Sequence, residues 1–125
     1  MRNVKIRLNT QYYQIYIYRQ ALKAIGDPIF INFGYDPETK RLMIIGTWID
    51  DRKSVRVRCN KEGAVYVFSK ALIVGIQKVS NILTTTGSYV VKGAVLEAEK
   101  VLIFHLEDAE LISEAAIVSR EPTVL

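Results

Sequence analysis

The sequence contains an internal repeat with an offset of about fifty residues. Residues 4–9 (VKIRLN) recur as residues 55–60 (VRVRCN), and residues 15–22 (IYIYRQAL) recur as residues 65–72 (VYVFSKAL). The offset is 51 for the first segment and 50 for the second, so order, residue type and spacing are all kept. Agreement at this level predicts two copies of one supersecondary unit in the chain.

Each copy is predicted to form a strand, a turn, a strand, a short helix and a final two-stranded hairpin. Apolar residues alternate with Lys and Arg over residues 4–8, which is the period of a strand with one dry and one wet face. Ser69 is placed to cap the helix of the second copy. The predicted strands are residues 4–8, 15–18, 29–33 and 42–45, then 55–59, 65–68, 88–91 and 101–104; the first helix covers 19–25 and the second carries Leu72, Ile76, Val79 and Leu83 on one stripe.

These elements predict a mostly β fold with short helices, of the α+β class. Four strands and one helix leave sheet edges and apolar faces uncovered, so the two copies are expected to complete each other. The consequence is a small, internally duplicated β-barrel with pseudo-two-fold symmetry. We expect one domain over residues 1–125, made of repeats at about 4–46 and 55–106 and an acidic C-terminal tail at 107–125, whose segment 107–114 is predicted to be a short helix.

Charge is distributed unevenly along the 125 residues. Residues 1–60 carry eleven Lys or Arg and five acidic residues, whereas residues 61–125 carry six and eight, which accounts for the formal net charge of +4. A basic excess confined to one half indicates an anionic partner, of which nucleic acid is the leading candidate. The alternative is that a charged run is only a solvated face.

Other classes of protein are disfavoured by composition. The longest apolar run, residues 71–76, is too short to span a membrane, and the first residues lack the order of a signal peptide, so a soluble cytoplasmic protein without membrane contact is expected. One Cys and one His cannot supply the four ligands of a structural zinc site, so no metal and no cofactor is predicted. Cys59 occupies the position of Leu8 in the first copy and is predicted to be buried.

Residues 19–26 (RQALKAIG) followed by 29–33 (IFINF), with residues 69–72 (SKAL) in the second copy, resemble the swapped-hairpin family typified by AbrB, MazE and MraZ. The resemblance covers about residues 4–46 and 55–106 as a pattern of residue types. It implies a swapped-hairpin barrel that binds DNA, as a transcriptional regulator does. Double-psi and cradle-loop barrels have the same internal symmetry and would produce nearly the same pattern, and they include peptide-binding domains and one type of decarboxylase.

The basic strands are the strongest candidate site. If the two copies are related by a pseudo-dyad, their cations would form a continuous stripe that meets phosphates along a groove. The alternative is that Lys and Arg protect exposed strand edges. The predicted phosphate contacts are Lys5, Arg7, Arg56 and Arg58, which Arg2, Arg52 and Lys53 would extend.

Four of the seven tyrosines, Tyr12, Tyr13, Tyr16 and Tyr18, lie within seven residues. Such rings can stack on bases in single-strand binders. Because Tyr16 and Tyr18 correspond to Tyr66 and Phe68 in the second copy, packing in a core or a dimer interface is favoured instead. Tyr12, Tyr13 and Trp48 are the predicted interface of a homo-oligomer or of a protein-interaction module.

No catalytic constellation stands out. His105 lies in an apolar strand without a fixed partner, and Glu97 and Glu99 flank a turn, where acidic residues are usually solvated. Gly87-Ser88 is a weaker candidate: self-cleavage at a Gly-Ser bond creates a pyruvoyl group in a decarboxylase with a related barrel, but such pairs are common in loops. The sequence predicts a non-enzymatic DNA-binding protein, with a protein-interaction or oligomerisation module as the alternative.

Overall fold

The alternating residues of the predicted strands form one antiparallel sheet that curls into a half-barrel. A computed structural model describes residues 3–114 of the chain. The elements within this range are β1 (Asn3–Asn9), β2 (Gln14–Ile17), α1 (Arg19–Ala24), β3 (Phe30–Asp36), β4 (Arg41–Thr47), β5 (Val55–Arg56), β6 (Val65–Phe68), α2 (Lys70–Ser80), β7 (Gly87–Leu96), β8 (Val101–His105), a 3₁₀ helix (Leu106–Asp108) and β9 (Glu110–Glu114). The prediction of a mostly β protein with short helices is confirmed.

The sheet interleaves the two halves of the chain. Its strand order is β5-β3-β4-β8-β7-β1-β2-β6, and β9 adds to β7. Each of the first four strands pairs with a strand from beyond residue 50: β1 with β7, β2 with β6, β3 with β5 and β4 with β8. Neither half of the chain therefore has a complete sheet of its own.

The core lies on the concave side of the sheet and under the two helices. Ile6 and Leu8 are almost fully buried, whereas Lys5 and Arg7 between them are exposed, as the period of two predicts. In α2 the buried residues are Ile73 and Ile76. Val79, which the helical spacing placed on the buried stripe, is 66% exposed, so that assignment was wrong.

Local signals placed β6 and the start of α2 correctly, whereas β5 and β6 do not pair with each other as the predicted hairpin required. β6 has the predicted bounds, and α2 begins directly after Ser69. The Ser69 hydroxyl accepts a hydrogen bond from the amide of Leu72 at 3.3 Å, which satisfies one of the free donors at the helix start. Ser69 is therefore the N-cap that the sequence predicts.

The first strand of the second copy is much shorter than predicted. β5 ends at Arg56, and only the Val57 amide continues toward β3, by donating to the carbonyl of Ile29 at 2.8 Å. Asn60 then organises a turn, since its side-chain oxygen accepts from the amides of Glu62 and Ala64. Cys59 lies where the chain has left the sheet and is exposed, which corrects the prediction that it is buried.

The end of the described chain is a strand and not a helix. After the 3₁₀ helix, β9 pairs with β7, with a register shift between Ser88 and Tyr89. β7 is longer than the predicted strand at 88–91, and it has partners on both edges: β1 on one side, and β8 and β9 in succession on the other. The backbone of β7 offers β9 a hydrogen-bonding edge, which overrides the local preference of residues 107–114. Residues 115–125 of the predicted tail lie outside the described residues.

Candidate nucleic-acid interface

The convex side of β7, β1, β2 and β6 carries basic and aromatic residues together. In antiparallel pairs, directly opposed residues point to the same face. Arg7 opposes Val90 on one side and Tyr16 on the other, and Tyr16 in turn opposes Tyr66. We call this surface the outer face; its residues are Lys5, Arg7, Asn9, Gln14, Tyr16, Tyr18, Tyr66, Phe68, Ser88, Val90 and Lys92.

The aromatic residues of the outer face form a connected group. The ring centroids of Tyr16 and Tyr66 are 4.5 Å apart, and those of Tyr16 and Tyr18 are 4.8 Å apart in an edge-to-face arrangement. Tyr66 is 52% exposed and Phe68 is 69% exposed. Tyr66 and Phe68 are thus outside the protein core, which leaves the dimer interface of the favoured interpretation as a prediction, and their rings are accessible to a ligand.

The cations of the outer face lie against these rings. The Lys5 ammonium is 5.2 Å from the centroid of Tyr18, and the Arg7 guanidinium carbon is 5.9 Å from that of Tyr16. Such contacts contribute about 0.5–1 kcal/mol at exposed sites. Among residues 3–114, no carboxylate forms an ion pair with Lys5, Arg7 or Lys92. Their charge is therefore available to an external anion.

A cleft of about 390 Å³ opens at the Lys5 end of the outer face. Lys5 and Lys92, directly opposed across β1 and β7, line one side of it. Arg19, at the start of α1, and Tyr18 line another side, and Glu62 is the acidic residue of the lining. Three cations from three separate elements meet at this cleft.

The Arg19 side chain packs against Gly63 in the turn between β5 and β6. A Cβ atom on Gly63 would come within 2.9 Å of the Arg19 Cδ and 3.1 Å of its Cγ, so the aliphatic part of Arg19 packs directly on the glycine backbone. Gly63 also has a φ of +83°, a conformation that favours glycine. The turn between β5 and β6 therefore positions Arg19 beside the cleft.

The predicted basic residues of the second copy lie elsewhere. Arg56 is exposed over the ring of Phe30, at 5.7 Å from its centroid, and lines a different cleft with Asp27 and Ile29. Arg58 is exposed beyond the end of β5. Within the described chain no contact joins Arg56 or Arg58 to Lys5 or Arg7. A single stripe made of all four cations stays a prediction.

The remaining predicted phosphate contacts are at the joint between the copies. Arg52 and Lys53 are exposed in a turn, where Asp51 accepts from the backbone amides of Lys53 and Ser54. No contact among the described residues brings either cation to the outer face. Arg2 lies outside the described residues.

The residues predicted to form an interface are spread over the surface. Tyr12 is exposed in the turn between β1 and β2. Tyr13 packs against the core, with the Lys70 ammonium 5.5 Å from its ring centroid. Trp48 is exposed beyond the end of β4 and extends over Gly26. No contact among residues 3–114 links Trp48 to either tyrosine, and oligomer formation stays a prediction.

The candidates for catalysis also have defined positions. His105 is exposed at the end of β8, opposite Arg41. Gly87-Ser88 opens β7 and is not a loop, and the Ser88 hydroxyl accepts from the side-chain amide of Asn9 at 3.3 Å. Glu97 and Glu99 are exposed in the turn between β7 and β8. Over residues 3–114, no three His, Cys, Asp or Glu side chains are grouped so as to hold a metal ion.

Two cations of the cleft were missing from the sequence-based site. Lys92 lies one residue beyond the predicted end of its strand at Val91, and only the pairing with β1 brings it to Lys5. Arg19 was assigned to the helix start alone. The alternation of apolar Val91 with Lys92 indicates that the Lys92 side chain is exposed. The residue opposite Lys92 depends on strand register, which the local pattern does not specify.

Comparison of the chain with protein-family models, with curated proteins and with solved structures finds no significant match. None of the helices within residues 3–114 combines the length and the apolar character that a bilayer crossing requires.

Proposed function

We propose that this protein binds nucleic acid without catalysing a reaction, and that single-stranded nucleic acid meets it on the outer face. The observation that carries the proposal is the exposure of Tyr66 and Phe68 on the same surface as Lys5 and Arg7, two cations without an ion-pair partner among residues 3–114. Proteins that bind single strands combine aromatic side chains, on which bases stack, with cations along the backbone path. The outer face offers both within four adjacent strands.

We further infer that the chain is an internal duplication, as its sequence repeat predicts. In the repeat, β1 corresponds to β5, β2 to β6, β3 to β7 and β4 to β8. Six adjacent strands of the sheet have the order β5-β3-β4-β8-β7-β1, and replacing each strand by its counterpart gives the same order read backwards. Tyr16 and Tyr66, equivalent in the repeat, are also direct partners across β2 and β6. The strand order supports a pseudo-two-fold axis that passes between β4 and β8, and the tyrosine pair supports its passage between β2 and β6. Both are consistent with the swapped-hairpin type that the resemblance implies. Regulation of transcription through DNA is the corresponding biological role.

The test is a titration of fluorescein-labelled single-stranded and double-stranded DNA of the same sequence, followed by anisotropy at several salt concentrations. We expect tighter binding of the single strand. Lys5→Gln with Arg7→Gln should weaken binding at every sequence alike and reduce the salt slope by about 0.7 for each lost phosphate contact. The matched variant, Arg56→Gln with Arg58→Gln, tests the alternative of a stripe made of all four cations. Because Arg56 lines a different cleft, we expect unchanged single-strand affinity, whereas an equal loss would favour the stripe. Absence of wild-type binding at low salt, or affinity that ignores salt, would refute the proposal.

A second candidate function is self-association through an apolar patch at one end of β3 and β4. Ile29 and Trp48 immediately flank the opposed pair Phe30 and Thr47, and both side chains are exposed, as is Ile49. Exposed apolar residues that cluster mark interaction sites. Light scattering after gel filtration should show a dimer that Trp48→Ser dissociates; a monomeric wild-type protein would exclude this function.

A further inference from the structure

We infer that the cleft lined by Lys5, Lys92 and Arg19 binds a phosphate monoester attached to a planar ring. The chemistry is that of a nucleotide phosphate, which has two sources: the 5′-phosphorylated end of a strand on the outer face, or a free mononucleotide. The first source rests on the proposed function, whereas the second does not.

The charge of the lining matches a dianion. Among the described residues, the cleft is lined by three cations and by one carboxylate, that of Glu62, which together carry a formal charge of +2. Within residues 3–114, neither Lys92 nor Arg19 has a hydrogen-bond acceptor or an ion-pair partner. A phosphate monoester carries a charge of about −1.5 to −2 at neutral pH. A single carboxylate ligand would neutralise the site only in part.

The opposed lysines indicate that the anion lies above the β1–β7 pair, on the outer face. Side chains directly opposite in an antiparallel pair have Cβ atoms about 4.5–5.5 Å apart, and like charges there are destabilising. Lys5 and Lys92 occupy such a pair, with Val4 opposite Gly93 as the next pair along. An oxyanion that accepts from both ammonium groups removes this repulsion, which favours a ligand with several acceptor oxygens on one atom.

The apolar part of the lining accommodates a ring. Val4, Ala21 and Ala64 are buried side chains that border the cleft, and Tyr16 and Tyr18 present aromatic surfaces to it. The volume of about 390 Å³ falls within the range of about 300–1,000 Å³ that small-molecule sites occupy. Apolar walls with a few convergent cations suit a small ligand that contains both a nucleobase and a phosphate group.

The third cation, Arg19, is exposed and lies against the turn between β5 and β6. The Arg19 side chain packs on the backbone of Gly63 and lines the cleft, and its guanidinium has no acidic partner among the described residues. A planar guanidinium can donate two parallel hydrogen bonds to a phosphate. Arg19 is therefore the residue best suited to distinguish a phosphate from a smaller anion.

The first experiment uses adenosine 5′-monophosphate, adenosine and inorganic phosphate in isothermal titration calorimetry with the full chain. We expect the monophosphate to bind at least about tenfold more tightly than adenosine or phosphate, because only it fills both parts of the cleft. Lys92→Gln and Arg19→Gln should each weaken its binding about tenfold. The matched control is Lys78→Gln, an exposed lysine of α2, which should have no effect. Equal binding of adenosine, or affinity unchanged in Lys92→Gln, would overturn the inference.

The second experiment distinguishes the sources and separates this inference from the proposed function. Oligonucleotides with a 5′-phosphate and with a 5′-hydroxyl are compared by anisotropy. A preference for the phosphorylated end that Lys92→Gln abolishes supports the strand terminus as ligand. If adenosine 5′-monophosphate binds and no oligonucleotide does, the inference holds for the free mononucleotide and the proposed function fails. If both oligonucleotides bind equally and the mononucleotide does not bind, the proposed function stands and this inference is refuted.

Discussion

Tyr16 and Tyr66 oppose each other in adjacent antiparallel strands, and their ring centroids are 4.5 Å apart. The pair therefore joins the two halves of the chain at the centre of the outer face. Tyr66 is half exposed, although a large aromatic residue in a small protein is commonly covered. Its exposure beside Arg7 and Lys5 is the basis of the first prediction.

Removal of the accessible rings should weaken binding of single-stranded DNA more than binding of duplex. Tyr66→Ala and Phe68→Ala should each cost about 1–3 kcal/mol in single-strand affinity, since base stacking on an aromatic side chain contributes that amount. Tyr66→Phe keeps the ring and should retain affinity. Trp48→Ala removes an exposed ring away from the outer face and serves as the control in the same anisotropy titration.

Gly93→Ala should destabilise the fold. A Cβ atom at Gly93 would collide with the carbonyl oxygen of Ile103 and would lie 2.7 Å from Cε1 of Phe104, which is completely buried. Overpacking of this kind costs about 1–3 kcal/mol. Gly75→Ala is the matched control: nothing lies within 4 Å of its added Cβ, and it should raise stability by about 0.5–1 kcal/mol because Ala favours the helix. Urea denaturation measures both, and equal stability of the two variants would contradict the model of close packing at Gly93.

Ser69→Ala should shift the thermal unfolding midpoint downward through loss of the helix cap. The Ser69 hydroxyl accepts from the Leu72 amide, and replacement of an N-cap by Ala costs about 0.5–2 kcal/mol. Ser69→Asp supplies another acceptor and should keep the midpoint near that of the wild type. Circular dichroism melts of the two variants provide the comparison, and a midpoint unchanged in Ser69→Ala would show that the cap contributes nothing.

The hydrogen bond from the Thr39 hydroxyl, at 2.9 Å, holds the pKa of the Asp36 carboxyl below its usual value, with further help from the amides of Glu38 and Thr39. A carboxyl pKa lowered in the folded state stabilises the protein above the unfolded value of about 3.9, and that contribution is lost as the pH falls through the folded pKa. Thr39→Val should move the pKa of Asp36 upward in a carbon-detected NMR titration. A control substitution at the exposed Glu99 should leave it unchanged.

Much of the fold was predictable because its signals are local. Ser69 before an apolar helical stripe, the Asn60 to Gly63 turn and the alternation from Val4 to Leu8 each specify their own conformation. The structure confirms the start of α2, the bounds of β6 and the strand character of β1. The residue pattern of each segment identifies its conformation, although β1 and β6 are completed by pairing with distant strands, β7 and β2.

What the sequence did not reveal depends on strand pairing. Leu111 and Ile112 lie between acidic residues that suit an exposed helix, yet the open edge of β7 draws them into β9. Lys92 reaches Lys5 only through the register of β1 with β7. Cys59 matches Leu8 in the repeat but has no strand beside it, because the sheet contact of β5 with β3 ends two residues after it begins. Such outcomes follow from which strands become neighbours, a property that periodicity does not encode.

The interleaved order of the strands has a consequence for how the molecule comes apart. Each strand of the first half, β1 to β4, is hydrogen-bonded to a strand of the second half. If one half unfolds, the other therefore loses hydrogen-bond partners on all of those strands. Most of the pairings also join residues far apart in sequence, which slows folding by the entropy of closing large loops. The chain should therefore unfold cooperatively and refold slowly. Cleavage between Lys61 and Glu62 should leave two fragments that fold only when they are mixed.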